Sequence, residues 1–332
     1  MSGVTTLIII AISMMIIAYW ALRKKRQGRI SSVISSLEKE ITHNHEWELY
    51  HNELVPSQRI RVCLAELKIS YKSHIIKVDS DLSSAAPNDT LGQLPRHQIP
   101  VLLHNGNAIY DSRKQMRYVI EQQSASGLMI PELKEEKSRL KEWLGKMSLL
   151  DKDQFQMVPG NEIFIISFPL FEATIEQVSF RKVLKTFLIN RFSRKSISAS
   201  ALRAPTLASV IENSNLTDAF ETAKEAIEAQ LDEAENSLKE HGGPWVAGET
   251  FTQIDIEMMV LLDRLNLLTM LEDLFNSHRP NLKCYWEELK SRNSYKTAIL
   301  AYLRPEVVAA SLTILKTRAK NKDFDELLRV NH

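Results

Sequence analysis

The start of the chain carries the feature that most limits how it can fold, a continuous apolar stretch over residues 4–22. Residues 1–22 contain no charged side chain, and a basic run follows at once at 23–26. A helix rises about 1.5 Å per residue, so the stretch would span roughly 28 Å, against about 30 Å for the hydrocarbon core of a membrane. The pattern predicts one transmembrane helix, which makes a lipid bilayer the first expected partner.

The order of charge and apolar residues favours an uncleaved signal anchor over a secretory signal peptide. A signal peptide begins with positive charge and ends at a small-residue cleavage site, whereas here the positive charge comes second and no such site follows. We therefore expect an anchor with its basic flank over 1–29 and a linker over 30–45. The positive-inside rule places the body behind them in the cytosol. A mitochondrial outer membrane is favoured in a eukaryote, while endoplasmic reticulum and a bacterial inner membrane stay open.

Charge and cysteine content exclude several classes of function. The chain has 42 Lys and Arg against 41 Asp and Glu, so no overall positive field for nucleic acid is present. Cys63 and Cys284 are not spaced as metal ligands, and one distant pair is not a disulfide framework. His43, His45 and His51 have no acidic cluster nearby at ligand spacing. We expect neither a metal site nor nucleic-acid binding.

Residues 46–125 have the pattern of a small mixed sheet. Asn105-Gly106 lies between two short strand-like runs and is a strong hairpin signal. The predicted elements are, in order, a strand over 46–52, a helix over 56–68, a strand over 71–78, an irregular connection over 79–96, strands over 100–104 and 107–110, and a helix over 111–122. This βαβ–ββα order predicts a four-stranded sheet with helices packed on it.

From about residue 133 the pattern becomes helical. Thr252 and Asp255 have the spacing of a capping box, and Phe251 and Ile256 that of a hydrophobic staple. Two helices are predicted, one over 217–239 and a central one over 255–268. An insertion is expected around 151–212, with a basic stretch at 181–195. The bundle is expected to end at 318 and to be followed by a charged tail over 319–332. The region over 133–318 is thus expected to be an all-α bundle.

The order of these segments resembles the glutathione S-transferase superfamily. The matching runs are Leu49-Tyr50-His51, Ser57-Gln58-Arg59-Ile60-Arg61-Val62, Leu94 to Leu102, Asp111-Ser112, and Trp245-Val246-Ala247-Gly248 followed by the capping box. The resemblance implies an α/β thioredoxin-like N-terminal domain over 46–125 that binds glutathione and an all-α C-terminal bundle over 133–318, preceded by the transmembrane helix. It also implies a homodimer.

Within the superfamily the chain is most similar to the ganglioside-induced differentiation-associated protein group. Arg279-Pro280-Asn281-Leu282, Tyr285-Trp286-Glu287 and the insertion over 151–212 carry this similarity. Those relatives have their membrane anchor at the C-terminus, whereas here the predicted anchor is N-terminal. We therefore expect the chain to belong to this group, from which it differs in the position of its predicted anchor.

The resemblance implies where glutathione would be held. Pro100, if preceded by a cis bond as in the family, would present the backbone of Ile99 to the cysteinyl unit. Ser112 stands near a helix start, where amides and the dipole favour a carboxylate, and Asp111 would accept the ammonium. The alternatives are a plain strand-starting proline at Pro100 and simple helix capping by Asp111 or Ser112.

The residue that would activate the glutathione thiol is the weakest match. Family enzymes place a hydroxyl or thiol donor at the start of the first helix, which stabilises the thiolate. Leu54 and Val55 occupy those positions and cannot donate. Ser57 is the nearest hydroxyl and our candidate catalytic residue, with a first-turn or capping role as the alternative. Tyr50 is an outside candidate, and Cys63 is expected to be buried and inert.

Two functions of different class remain open. The chain is either a membrane-anchored glutathione transferase that conjugates glutathione to a small electrophile, or a transferase fold with weak or lost catalysis that organises a protein partner at a membrane. Leu54 and Val55 favour the second, and Ile99-Pro100 with Asp111-Ser112 favours the first.

Overall fold

The structure, a computed structural model, describes residues 43–76, 99–151, 159–177, 214–275 and 278–329. The predicted anchor over 4–22, the linker up to residue 42, the connection over 79–96 and the basic stretch over 181–195 lie outside these residues. Among the described helices, none alone is long and apolar enough to cross a membrane. One strongly bent pair, Tyr295–Tyr302 with Pro305–Arg318, meets the length and composition criteria together.

The N-terminal domain is built on a four-stranded sheet with the order β2-β1-β3-β4. The strands are β1 (Trp47–His51), β2 (Lys72–Ile75), β3 (Val101–His104) and β4 (Asn107–Tyr110). β1 pairs with β2 in parallel and with β3 in antiparallel, and β3 and β4 form the hairpin predicted at Asn105-Gly106. Both turn residues have positive φ, 48° and 79°, as a type I′ hairpin turn requires.

Helices α1 (Val55–Glu66) and α2 (Ser112–Gln122) belong to the same domain and contact each other. Residues 55–64 of α1 are all buried, including Arg61, whose guanidinium bonds to His51, to the Asn52 carbonyl and to the Ala298 carbonyl. A helix whose residues are buried on every side is surrounded by other parts of the protein. It packs between the sheet and the helical domain.

The secondary structure of the described part of the C-terminal domain is helical. Its helices are α3 (Lys134–Leu149), α4 (Glu162–Ile166), α5 (Phe168–Gln177), α6 (Ser214–His241), α7 (Gln253–Leu267), α8 (Leu271–Phe275), α9 (Pro280–Ser291), α10 (Pro305–Arg318) and α11 (Lys322–Leu328). The thioredoxin-like sheet domain followed by this bundle confirms the predicted fold class of the described part.

The central helix α7 begins at the predicted capping box. The Asp255 carboxylate accepts bonds from the Thr252 amide at 2.8 Å, the Val246 amide at 3.1 Å and the Tyr285 hydroxyl at 2.8 Å. Burial nevertheless raises the pKa of Asp255 to about 6. One carboxylate therefore ties the start of α7 to the preceding loop and to α9.

The end of the chain differs from the charged tail expected over 319–332. Asn321 accepts a bond from the Phe324 amide at 3.0 Å and so caps α11. Phe324, Leu327 and Leu328 are buried in the core. The abundance of charge around these apolar residues concealed their helical spacing.

Candidate functional site

The start of α1 lies where β1 turns into the helix, and its two first positions are apolar. Leu54 makes no side-chain capping bond, and neither it nor Val55 carries a polar side chain. Ser57 is fully buried. Its hydroxyl donates to Asn52 Oδ1 at 3.0 Å and accepts from the Asn52 amide at 3.1 Å. The candidate catalytic hydroxyl is thus engaged within the turn.

The peptide bond between Ile99 and Pro100 is cis, the geometry that the resemblance implied. Pro100 immediately precedes β3. The Gln115 side chain of α2 donates to the Pro100 carbonyl at 2.8 Å and to the Ile109 carbonyl at 2.7 Å. One buried amide therefore fixes the cis-proline turn against β4 and α2.

Asp111 and Ser112 stand at the start of α2 with different surroundings. Asp111 has φ 69°, and its Oδ1 accepts from the amides of Arg113 and Lys114, each at 3.0 Å. It therefore caps α2, which was the alternative role. Ser112 is only 1% exposed, and its hydroxyl has no hydrogen-bond partner among the described residues. A buried hydroxyl without a partner at a helix start is suited to an anionic ligand.

Tyr50, the outside candidate, and Cys63, which was expected to be buried and inert, both lie in the core. Tyr50 is 3% exposed and its ring stacks on His74 at 4.2 Å between centroids. Cys63 is fully buried in α1, and burial raises the pKa of its thiol above its ordinary range. A thiol that stays protonated is a poor nucleophile.

A network of buried charges joins the two domains behind α2. Arg113 donates to both carboxylate oxygens of Glu257 at 2.7 and 2.8 Å, and Arg59 contacts Asp151 at 2.6 Å and Glu257 at 3.2 Å. Desolvation opposes the charge of Arg113, but Glu257 outweighs it and raises the pKa of Arg113. Because Arg113 follows Ser112 directly, this network fixes the start of α2 to the helical domain.

A pocket opens at the start of α1, between the two domains. Its walls are mostly apolar, and it has a cavity volume of about 30 Å³ and opens to solvent. The lining residues are Leu54, Val55, Pro56, Asp151, Ile163, Phe164, Ser167, Phe171 and Arg264. Clefts at domain interfaces with few polar groups are common small-molecule sites. The pocket adjoins Leu54 and Val55, the positions at which the resemblance implies a thiol-activating residue.

Sequence reasoning missed several residues of this site. Asn52, Gln115 and Arg264 belong to no motif, and their roles depend on partners distant in sequence. Arg59 of the junction belongs to a matching run, but Arg113 and the acidic partners of both arginines do not. A charged residue within an otherwise apolar helix, such as Glu257 in α7, was the local feature that could have indicated a buried ion pair.

Family models match two parts of the chain. The model described as "Glutathione S-transferase, N-terminal domain" covers residues 56–122, and "Glutathione S-transferase, C-terminal domain" covers residues 202–305. Together they span just over half of the chain. Their order agrees with the sheet domain and the helical domain described above.

Two curated proteins are similar in sequence. Glutathione S-transferase TCHQD of Arabidopsis thaliana is 26% identical over 262 residues, which cover 77% of this chain and 90% of that protein. Tetrachloro-p-hydroquinone reductive dehalogenase of Sphingobium chlorophenolicum is 33% identical over 92 residues, 27% of this chain and 36% of that protein.

Solved structures resemble the fold. Glutathione transferase F7 from Populus trichocarpa superimposes with a TM-score of 0.53 at 18% identity, over 78% of this chain and 100% of that one. Glutathione transferase F2 from the same species has a TM-score of 0.50 at 21% identity, over 77% and 98%. At these identities the likeness is one of fold.

Proposed function

Because this chain belongs to the glutathione S-transferase superfamily, we propose that it binds glutathione on its N-terminal domain, with the thiol directed toward the pocket at the start of α1. The observation that carries the proposal is the buried Ser112 hydroxyl, which has no partner among the described residues. Burying a hydroxyl without a hydrogen bond costs free energy. A bound carboxylate at the start of α2 would supply the missing acceptor and meet the helix dipole.

The other predicted contacts agree with this placement of glutathione. Asp111 uses Oδ1 to cap α2, and because the residue is exposed its Oδ2 could accept the ammonium of the γ-glutamyl unit. Ile99 lies beside the cis-proline turn that Gln115 fixes, and its backbone would pair with the cysteinyl unit. These roles of Ile99, Pro100, Asp111 and Ser112 are proposals that rest on family membership and on the geometry around α2.

Activation of the thiol separates two candidate functions. Conjugation to an electrophile needs a donor to the thiolate, and Ser57 stays the predicted one although its hydrogen is donated to Asn52. Leu54 and Val55 supply no donor, which favours a second candidate, a glutathione-binding protein with weak or lost catalysis. Glutathione-dependent turnover of a general electrophile, at a rate typical of the superfamily, would exclude the second candidate.

Calorimetric titration of the full chain with glutathione tests the binding proposal. We expect saturable binding, and about a tenfold loss of affinity in Ser112→Ala, which is the lower range for a hydrogen bond to a charged group. The folded state should be as stable in the variant as in the parent, because the hydroxyl has no partner to lose. Ser291→Ala, an exposed serine of α9, is the control. Absence of binding by the parent, or equal affinity in Ser112→Ala, would contradict the proposal.

We further propose that residues 4–22 anchor the protein in a membrane with its body in the cytosol, and that the body forms a homodimer. The uncharged stretch and its basic flank support the anchor; a mitochondrial outer membrane and a grouping with ganglioside-induced differentiation-associated proteins stay predictions. The full chain should resist alkaline extraction from membranes, whereas a chain without residues 2–29 should be released. Equal release of both would contradict the anchor.

A further inference from the structure

The pocket at the start of α1 contains one charge that its lining does not neutralise. Asp151 is already paired, since its Oδ2 accepts from Arg59 at 2.6 Å and lies 3.8 Å from Arg113. The Ser167 hydroxyl donates to the Ile163 carbonyl at 2.6 Å. Among the described lining residues, the polar group that remains is the guanidinium of Arg264.

Arg264 is buried, and among the described residues no carboxylate forms a salt bridge with its guanidinium, although Asp263 and Glu53 attract it electrostatically. It is 5% exposed, and its Nε has no hydrogen-bond partner in the part of the chain that the structure describes. Its nearest aromatic contact is the ring of Phe171, 5.7 Å from Cζ. The adjacent Asp263 accepts from the Tyr295 hydroxyl at 2.8 Å, and the more distant Glu53 pairs with Arg304 at 2.9 Å.

An arginine in this position keeps its charge. Burial lowers the pKa of Arg264, but a guanidinium is not deprotonated in proteins. Asp263 and Glu53 compensate part of this charge, but a buried guanidinium that no carboxylate contacts directly is energetically unfavourable. Such a cost is offset when the pocket receives an anion, which forms short charge-assisted hydrogen bonds with the guanidinium.

The rest of the pocket specifies what accompanies the anion. Leu54, Val55 and Pro56 contribute an apolar wall from the start of α1, and Phe164 and Phe171 contribute aromatic walls from α4 and α5. A small inorganic anion would leave these walls in contact with water, whereas an apolar body would cover them. The lining therefore favours a ligand with one negative group and an aromatic or aliphatic body.

We propose that this pocket binds apolar monocarboxylates, with the carboxylate held by Arg264 and the apolar body against the start of α1. Their binding requires no glutathione. The further step, that such acids include the electrophiles presented to the thiol, rests on the proposed function. The pocket thus defines a substrate class of acidic rather than neutral compounds.

A matched pair of probes tests this without any variant. We would titrate the full chain, in a non-ionic detergent and without glutathione, with 4-phenylbutyrate and with its neutral amide, 4-phenylbutyramide. We expect the acid to bind at least about tenfold more tightly, since a hydrogen bond to a buried charge contributes more than a neutral one. Equal affinities of acid and amide for the parent protein would overturn the proposal.

Variants assign the effect to Arg264. In Arg264→Met the affinity for the acid should fall to that for the amide, while Arg264→Lys should keep part of the preference. Arg117→Met, on the exposed face of α2, is the control and should leave both affinities unchanged. A preference for the acid that survives Arg264→Met would overturn the assignment.

Competition separates this proposal from the glutathione site. Saturating glutathione should change the affinity for 4-phenylbutyrate less than threefold, because the two ligands occupy adjoining positions. Competitive displacement would overturn the proposal, since Arg264 would then belong to the glutathione site. If glutathione does not bind at all but acid and amide still differ, the pocket proposal stands and the proposed function fails.

Discussion

The Ser57 hydroxyl makes two hydrogen bonds with Asn52 that close the turn between β1 and α1. Asn52 Oδ1 also accepts from the Leu54 amide at 3.0 Å. The same backbone carries the apolar wall of the pocket at Leu54 and Val55. Ser57, the predicted thiol donor, therefore also holds the turn that carries this wall of the pocket.

We expect Ser57→Ala to lower the free energy of unfolding by about 1–3 kcal/mol, because it leaves the buried Asn52 amide without its acceptor. Denaturant titration would measure this loss. The thiol pKa of bound glutathione, followed by thiolate absorbance in the ultraviolet, should stay unchanged if Ser57 only holds the turn.

Ser237→Ala is a matched control, since Ser237 is buried and donates to the Val246 carbonyl within the helical domain. It should lower stability without any effect on glutathione. A thiol pKa that rises in Ser57→Ala and not in Ser237→Ala would show that Ser57 stabilises the thiolate, and the turn-holding role alone would be insufficient.

At the scale of elements, local signals predicted most of the fold. The Asn105-Gly106 turn is a two-residue pattern with its own backbone preference, so the hairpin followed from sequence alone. The capping box at Thr252 and Asp255 joins residues three apart, and α7 begins where it predicts. Both features depend on neighbours in the chain, which is why sequence reasoning found them.

Elements whose environment depends on distant partners were harder to predict. α1 has ordinary helical spacing, yet Arg59 and Arg61 are buried in it because Asp151, His51 and the Ala298 carbonyl come from other parts of the chain. α11 lies in the predicted charged tail, and its charged residues outnumber its apolar ones.

The candidate site divides in the same way. Pro100, Asp111 and Ser112 were predictable because they belong to short runs with a fixed place in the domain. Arg264 was not, because its importance comes from its place in the pocket lining and from its Nε, which has no hydrogen-bond partner among the described residues. Nothing in the sequence of α7 distinguishes Arg264 from an arginine whose charged end reaches solvent.

At the scale of the whole molecule, charged side chains connect the two domains at separate places. Glu257 of α7 lies between Arg59 of α1 and Arg113 of α2. Elsewhere, Glu66 at the end of α1 accepts from Arg292 at 2.7 and 2.6 Å, and Arg292 lies over the Phe251 ring at 3.9 Å. The pocket and the start of α2 are both positioned across this junction.

We expect Glu257→Gln to lower the free energy of unfolding by about 3–5 kcal/mol, because removal of one partner leaves buried charge without compensation. Glu257 is 1% exposed, so water cannot replace the lost carboxylate. Lys146→Gln, which breaks the exposed contact to Glu233 at 2.6 Å, is the control and should cost no more than about 1 kcal/mol.

Hydrogen exchange extends this prediction from stability to architecture. If the network holds the domains together, amides of α2 should exchange faster in Glu257→Gln, while those at the capped start of α7, held by Asp255, should change less. A loss of stability below that of the Lys146→Gln control, or uniform exchange in both domains, would show that the junction is held by apolar packing alone. The charges would then be tolerated at the junction without joining the two domains.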